Sequence, residues 1–168
     1  YRNIRNAVQF LLSGNMAGIL AVLYTSLMAL PVPFSPVHLL FINLLTDSLP
    51  AIAIGMEPAD KTLLSQKPRN PKEGILTKEF LRNLIFYGGL IAVCSMVSFH
   101  SGLRTGNAMT ASTMAFATLT LARLFHGFNC RGEQSVFRLG ITTNRYSLAA
   151  FAAGLVLLNL VLFVPILQ

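Results

Sequence analysis

The feature that most constrains this chain is a series of five long apolar runs separated by polar joints. A helix that crosses a bilayer needs about 20 predominantly apolar residues. The runs that meet this condition lie at about residues 7–30, 38–56, 81–100, 109–128 and 146–166. The sequence therefore predicts an all-α membrane protein, in which residues 1–168 form one bundle of about five transmembrane helices.

The composition favours the membrane over water as the solvent of this chain. Hydrophobic residues make up 54% of the chain and charged residues 11%, whereas a soluble domain carries about 25% charged residues. The net charge is +7, but the basic residues lie at the ends of apolar runs and form no single patch. We therefore predict contact with the lipid bilayer and no binding of nucleic acid. Cys94 and Cys130 have neither disulfide nor zinc-site spacing.

The basic residues predict the orientation of the bundle. Two of them precede the first run, six lie in or beside the 57–80 loop and three lie in or beside the 129–145 loop, which makes eleven of thirteen on alternate connections. Because cytoplasmic loops are enriched in Lys and Arg, both loops and the amino end are predicted to be cytoplasmic. The odd number of runs and the first residue, Tyr1, are typical of a piece of a longer protein.

One segment, from Asn43 to Pro50, combines polar side chains with a helix breaker. Asp47 is the only acidic residue inside any apolar run, and Asn43 lies four positions before it, on the same face of a helix. Pro50 has no N–H to donate to the carbonyl of Thr46, so it should break the helix and free that oxygen. A carboxylate, an amide oxygen and a loosened carbonyl in a small volume are typical of a cation site.

Asp47 and a further candidate ligand, Asn15 in the first run, each have a second interpretation. A carboxylate at mid-membrane costs about 2.5–3.5 kcal/mol, so Asp47 is either a cation ligand or a buried, protonated or proton-carrying acid. The oxygens of Asn43, Thr46 and Asp47 suit a hard cation such as Ca²⁺. Asn15 lies among small residues in the first run, where an amide serves equally well as a further ligand or as an interhelical hydrogen-bonding group.

Arg123 is the second charge that needs an explanation. It lies about a turn and a half from the predicted cytoplasmic end of its run, so its side chain could reach the membrane surface by snorkelling. It could also be an internal counter-charge for Asp47, because each charge would offset the desolvation of the other. Spacing alone does not decide between these interpretations.

The chain resembles the carboxyl-terminal membrane part of P-type cation-transporting ATPases, specifically calcium pumps of the sarco/endoplasmic-reticulum type. The resemblance covers nearly the whole chain, and its most specific element is N-L-x-T-D-x-L-P-A, from Asn43 onward. Pumps of the Na,K type are expected to carry Asp where Asn43 stands. The other matching segments are Tyr1-x-Asn3, Ser13-Gly14-Asn15, Pro68-Arg69-Asn70-Pro71-Lys72-Glu73 and Thr113-Met114-Ala115.

The resemblance implies helices five to nine of a ten-helix membrane domain in a bacterial plasma membrane. It implies that Ca²⁺ is the transported ion, and that the phosphorylated Asp, the Mg-ATP site and a Glu-bearing fourth helix lie before Tyr1. The implied partners are the pump's amino-terminal membrane helices and, through the 57–80 loop, its cytoplasmic phosphorylation domain. The segment alone is therefore expected to have no ATPase activity.

The resemblance also implies which residues bind the ions, and here the sequence departs from the family pattern. Pumps with two calcium sites use the positions of Asn43 and Asp47 for one ion, and those of Asn15, Thr46 and Asp47 for the other. The second site also takes acids from the fifth and eighth helices, but Gly18 and Arg123 stand at those positions. We therefore hypothesise one Ca²⁺ per ATP, with the Arg123 guanidinium in the vacated site beside Asp47.

The sequence is also compatible with two alternative functions. A pump of the same type could move manganese or a monovalent cation, because an all-oxygen ligand set disfavours zinc and copper but does not separate calcium from manganese. The chain could also be a free-standing membrane protein or channel built of five helices.

Overall fold

The structure is a computed structural model that describes residues 1–58, 74–132 and 136–164. The described residues form helices and their connections, with no strand among them. The helices are α1 (Arg2–Leu27), α2 (Pro36–Phe41), a π-helical segment (Ile42–Thr46), α3 (Ser48–Gly55), α4 (Lys78–Leu103), α5 (Ala108–Asn129), α6 (Val136–Leu139) and α7 (Arg145–Phe163).

Five of the helical segments are long and apolar enough to cross a membrane, which confirms the predicted all-α fold. They are α1, the composite Pro36–Gly55, α4, α5 and α7. Their bounds differ by a few residues from the predicted ones, most at the start of α1. The central part of the 57–80 loop, residues 59–73, lies outside the described residues. The described part of the 129–145 loop contains only the short helix α6.

Polar capping residues mark where four of the helices begin. The side chains of Ser35, Thr77, Asn107 and Asn144 each accept a hydrogen bond from a backbone N–H in the first turn of the helix that follows. Such caps satisfy donors that have no partner within the helix. The polar joints of the sequence therefore fix the helix starts locally.

The second span is broken beside Asp47. The N–H of Asp47 donates to the carbonyl of Ile42, five residues back, at 2.9 Å, which is the π-helical pattern. Pro50 lies in the first turn of α3 and has no N–H for the carbonyl of Thr46. The Thr46 and Ser48 hydroxyls donate to backbone carbonyls four residues earlier, at 2.9 and 2.8 Å. The proline and these hydroxyl bonds together accommodate the change from α- to π-helix.

Small residues bring the long helices close together. An added Cβ at Gly102 on α4 would lie 2.9 Å from the backbone nitrogen of Ala111 on α5. An added Cβ at Gly88 on α4 would lie 3.1 Å from the carbonyl oxygen of Ser13 on α1. Only glycine fits such approaches, which are typical of helix packing in membranes. Helix α4 is thereby held against α1 and α5, while α3 contacts α1 and α7.

Candidate cation site

Three of the four predicted ligands lie in or directly after the π-helical segment. Asp47 and Thr46 are buried, each with 2% of its surface exposed. Asn43 is exposed, and so is Asn15, the fourth predicted ligand, on α1. The break in the second span therefore turns Thr46 and Asp47 inward and leaves Asn43 at the edge of the described bundle, where Asn15 of α1 also lies.

Arg123 joins two of these residues. Its guanidinium forms an ion pair with Oδ2 of Asp47, in which both side chains are almost fully buried. The same nitrogen, Nη2, also donates to Oδ1 of Asn15 at 3.3 Å. Arg123 on α5 therefore points into the bundle and connects α1 with the start of α3.

Glycines on α1 provide the space for this arrangement. An added Cβ at Gly14 would lie 2.5 Å from both Cζ and Nη2 of Arg123, so the guanidinium rests directly on the α1 backbone. At Gly18, one turn further along α1, an added Cβ would meet no described atom within 4 Å. Gly18 itself is buried. An added side chain at Gly18 would thus enter open space, at the position where the resemblance places an acid in two-site pumps.

Two buried atoms of the ion pair have hydrogen-bonding capacity left. Among the described residues, no group donates to Oδ1 of Asp47 and none accepts from Nε of Arg123. A buried polar atom without a partner is costly, so Oδ1 of Asp47 is well suited to receive a cation. Thr46 has its hydroxyl proton bonded to the Ile42 carbonyl, which leaves its oxygen lone pairs directed elsewhere.

The donor chemistry fits a hard cation, but the described residues supply only part of the ligands that such a site needs. All four predicted ligands offer oxygen, which Ca²⁺, Mg²⁺ and Mn²⁺ prefer over sulfur or nitrogen. In the described part of the chain, no group of three or more His, Cys, Asp or Glu residues could hold a metal ion. One carboxylate and a few neutral oxygens therefore require further ligands for tight binding of a divalent ion.

A second polar cluster, which the sequence did not predict, lies toward the end of α5. His126 is 3% exposed, and its Nε2 lies 3.1 Å from Oγ of Ser13 and 3.2 Å from Sγ of Cys130. Its ring packs beside those of Phe10 and Tyr87. The spacing of four between His126 and Cys130 was the available signal, but it does not reveal the partner on α1.

A third cluster was missed entirely at the level of sequence. Glu57, two residues after the end of α3, forms a two-fold hydrogen-bonded ion pair with Arg131, with both distances 2.8 Å. Asn144 donates to the same carboxylate at 2.7 Å. In the sequence, Arg131 indicated only the orientation of a loop. Its partner, Glu57, lies 74 positions away in the chain, so no local sequence pattern indicates the pair.

Comparison with known proteins then identifies the group to which the chain belongs. The model of the family described as "Cation transporting ATPase, C-terminus" matches residues 31–168, which include α2–α7 and the ion-paired Asp47 and Arg123. The chain belongs to this family of P-type pumps. The predicted resemblance is thereby confirmed.

Similar curated proteins support the assignment of the chain to the cation-transporting ATPases. The chain is 39% identical to a calcium-transporting ATPase of Bacillus subtilis (strain 168), over 100% of the chain and 19% of that protein. It is 38% identical to calcium-transporting ATPase 1 of Lactococcus lactis, over 95% of the chain and 18% of that protein. It is 32% identical to human calcium-transporting ATPase type 2C member 1, over 100% of the chain and 18% of that protein. The chain thus spans about a fifth of the length of these relatives.

Proposed function

We propose that this chain is the cation-carrying membrane segment of a P-type pump that exports Ca²⁺ from the cytoplasm, one ion for each ATP. The observation that carries the proposal is the buried pair of Asp47 and Arg123 at a π-helical break. It stands in a member of the cation-transporting ATPase family. The alternative of a free-standing channel is not favoured, because the similar proteins are ATP-driven transporters by name.

The choice of Ca²⁺ rests on donor chemistry and on the relatives. Asp47, Thr46, Asn43 and Asn15 supply oxygen atoms only, as a hard cation requires. The names of the similar proteins specify calcium. Manganese accepts the same oxygen donors, and it is therefore the competitor that the experiment has to include.

The proposal of one ion rests on the charge of Arg123. Two unit charges 4 Å apart in a partly buried site repel each other by about 4 kcal/mol, and a divalent ion roughly doubles that figure. The guanidinium therefore excludes a second Ca²⁺ from its own side of Asp47. Oδ1 of Asp47, which has no partner among the described residues, is the oxygen that binds the single ion.

The same pair explains how the empty site stays neutral. After the ion leaves, Arg123 remains beside Asp47 and offsets the charge of the carboxylate. A buried carboxylate without a counter-charge would otherwise need a proton, since an unpaired buried charge is costly. The pump therefore needs little or no proton counter-transport at this site.

The remaining functions of the pump lie outside the cation site. In this proposal the five spans are helices five to nine of the membrane domain. Mg-ATP acts in the cytoplasmic domains, where the phosphorylated Asp lies. The 57–80 loop contacts the phosphorylation domain, and the exposed amides of Asn15 and Asn43 face the pump's amino-terminal membrane helices.

The orientation in the plasma membrane is proposed from the basic residues. The amino end and the loop that contains Arg138 face the cytoplasm, while Gly106 faces outward. Single cysteines introduced at Gly106 and at Arg138 test this orientation in intact cells. A membrane-impermeant maleimide should label only the first, and labelling of only the second would reverse the topology.

The transport ratio tests the central proposal. The full-length pump is reconstituted into vesicles, and calcium uptake is measured together with ATP hydrolysis. One Ca²⁺ per ATP is expected, and two would refute the role of Arg123. ATPase activity with Mn²⁺ in competition decides between the two ions. Calcium flux that does not depend on ATP would indicate a channel.

A further inference from the structure

The Glu57 cluster, which consists of Glu57, Arg131 and Asn144, has no place in the cation site itself. Its three side chains are buried, with 8%, 1% and 2% of their surfaces exposed. The carboxylate of Glu57 accepts two hydrogen bonds from Arg131 and one from Asn144, at 2.7–2.8 Å. Arg131 also donates to the carbonyls of Gly140 and Ile141, at 3.2 and 3.4 Å. The charges are therefore paired and well satisfied.

The cluster contacts the carboxyl-terminal end of α3, the helix that follows Asp47. Helix α3 is only eight residues long, and Glu57 follows it closely. Asn144 donates to the carbonyl of Ala53 in the last turn of α3, at 2.9 Å. Asn3, from α1, donates to the carbonyls of Gly55 and Glu57, at 3.1 and 2.8 Å.

Two buried ion pairs therefore connect the two ends of α3 to α5 and to the residues just after α5. Asp47 at the start of α3 pairs with Arg123, and Glu57 beyond its end pairs with Arg131, just after α5. Glu57 lies ten positions after Asp47, which corresponds to about 15 Å along a helix. Two fixed points at this separation determine both the position of α3 along its axis and its rotation about that axis.

The π-helical break makes the second fixed point necessary. Since a π-helical segment separates α2 from α3, the rotation of α3 differs from the one that a regular continuation of α2 would give. Helix α3 buries Pro50, Ala53 and Ile54 and packs against α1 and α7, while Leu49, Ile52 and Met56 are exposed in the described bundle. Apolar packing of this kind is non-directional, so it leaves the exact rotation of α3 to be fixed by polar contacts. Directional, two-fold hydrogen bonds of a guanidinium to a carboxylate provide the missing geometry.

We propose that Glu57, Arg131 and Asn144 are positioning residues, which fix α3 so that Asp47 meets the transported cation in the correct place. This inference rests on the proposed transport function. It differs from a purely stabilising role, because a buried ion pair is weak evidence for stability, and well-packed apolar residues of similar volume often replace such a pair without loss of stability. Cation affinity is therefore the property that depends on this cluster.

The experiment uses the full-length pump with Glu57→Gln, Arg131→Lys and the double variant Glu57→Gln/Arg131→Met. The calcium concentration for half-maximal phosphorylation, the maximal phosphorylation and the thermal stability in detergent are measured for each. Glu79→Gln and Arg138→Gln, which change exposed residues of the same types, are the matched controls. All variants keep Asp47 and Arg123.

Replacement of residues that orient a metal ligand typically costs about 10- to 100-fold in affinity. We expect Glu57→Gln and Arg131→Lys to raise the half-maximal calcium concentration by roughly tenfold, with maximal phosphorylation retained. The double variant removes the unpaired charge and should regain thermal stability but not calcium affinity. If the single variants fail to fold, the double variant alone decides.

Two results would overturn the positioning role. One is a double variant with wild-type calcium affinity, and the other is a pair of folded single variants that match Glu79→Gln and Arg138→Gln. Failure of the proposed function looks different, because it appears in the unmodified pump as phosphorylation that does not depend on calcium. In that case the same variants are compared with the cation, such as Mn²⁺, that does support phosphorylation.

Discussion

Replacing Gly14 with Ala tests whether the position of the Arg123 guanidinium controls the cation site. The added methyl would lie 2.5 Å from Cζ and Nη2 of Arg123. Non-bonded heavy atoms settle at about 3.5–4.0 Å, so the guanidinium has to move away by about 1 Å. Because this group is the end of a flexible side chain, the substitution displaces Arg123 while the helix backbones keep their places.

The displacement first breaks the bond between Arg123 and Asn15. That bond is 3.3 Å long, and a further movement of about 1 Å takes it beyond hydrogen-bonding distance. The displaced guanidinium then no longer holds Asn15 and Asp47 in one fixed arrangement, and loss of a group that orients metal ligands typically costs about 10- to 100-fold in metal affinity. We therefore expect Gly14→Ala to raise the calcium concentration for half-maximal phosphorylation by that factor.

Gly18→Ala is the matched control, because it adds the same methyl to the same helix. No described atom lies within 4 Å of its added Cβ, so we expect a shift below about twofold, as for changes away from special features. The deciding measurement repeats Gly14→Ala in an Arg123→Met pump, where the guanidinium is gone. An equally large shift with and without Arg123 would refute this reasoning.

Three further predictions concern Asp47, the position of Arg123 and the buried thiol of Cys130. Asp47→Asn should abolish calcium-dependent phosphorylation, and a variant with normal calcium affinity would remove Asp47 from the site. Gly18→Glu together with Arg123→Glu should raise the transport ratio from one to two Ca²⁺ per ATP, because two carboxylates replace a cation. An unchanged ratio would contradict the role of Arg123. Burial raises the pKa of the Cys130 thiol to about 12, so N-ethylmaleimide should label it only after denaturation, as peptide mass spectrometry would show.

The local features of this protein were predictable from the sequence. Runs of about 20 apolar residues have one stable form in a bilayer, since only a helix satisfies its own backbone there. The five spans follow from this rule, and the polar joints supplied the caps. Pro50 determined that the helix carrying Asp47 would be irregular, because a missing N–H affects the carbonyl four positions earlier whatever the surroundings are.

The partners of the buried charges were decided only by the tertiary structure. Arg123 is 76 positions from Asp47, and its spacing allowed both a path to the membrane surface and a path into the bundle. The choice depends on Gly14, whose missing side chain leaves room for the guanidinium on α1. In the sequence, Arg131 indicates only the cytoplasmic side, whereas in the structure it donates to the carboxylate of Glu57, which also accepts from Asn144. Charge bias and helix propensity act along the chain, whereas pairing of buried charges depends on which helix faces which.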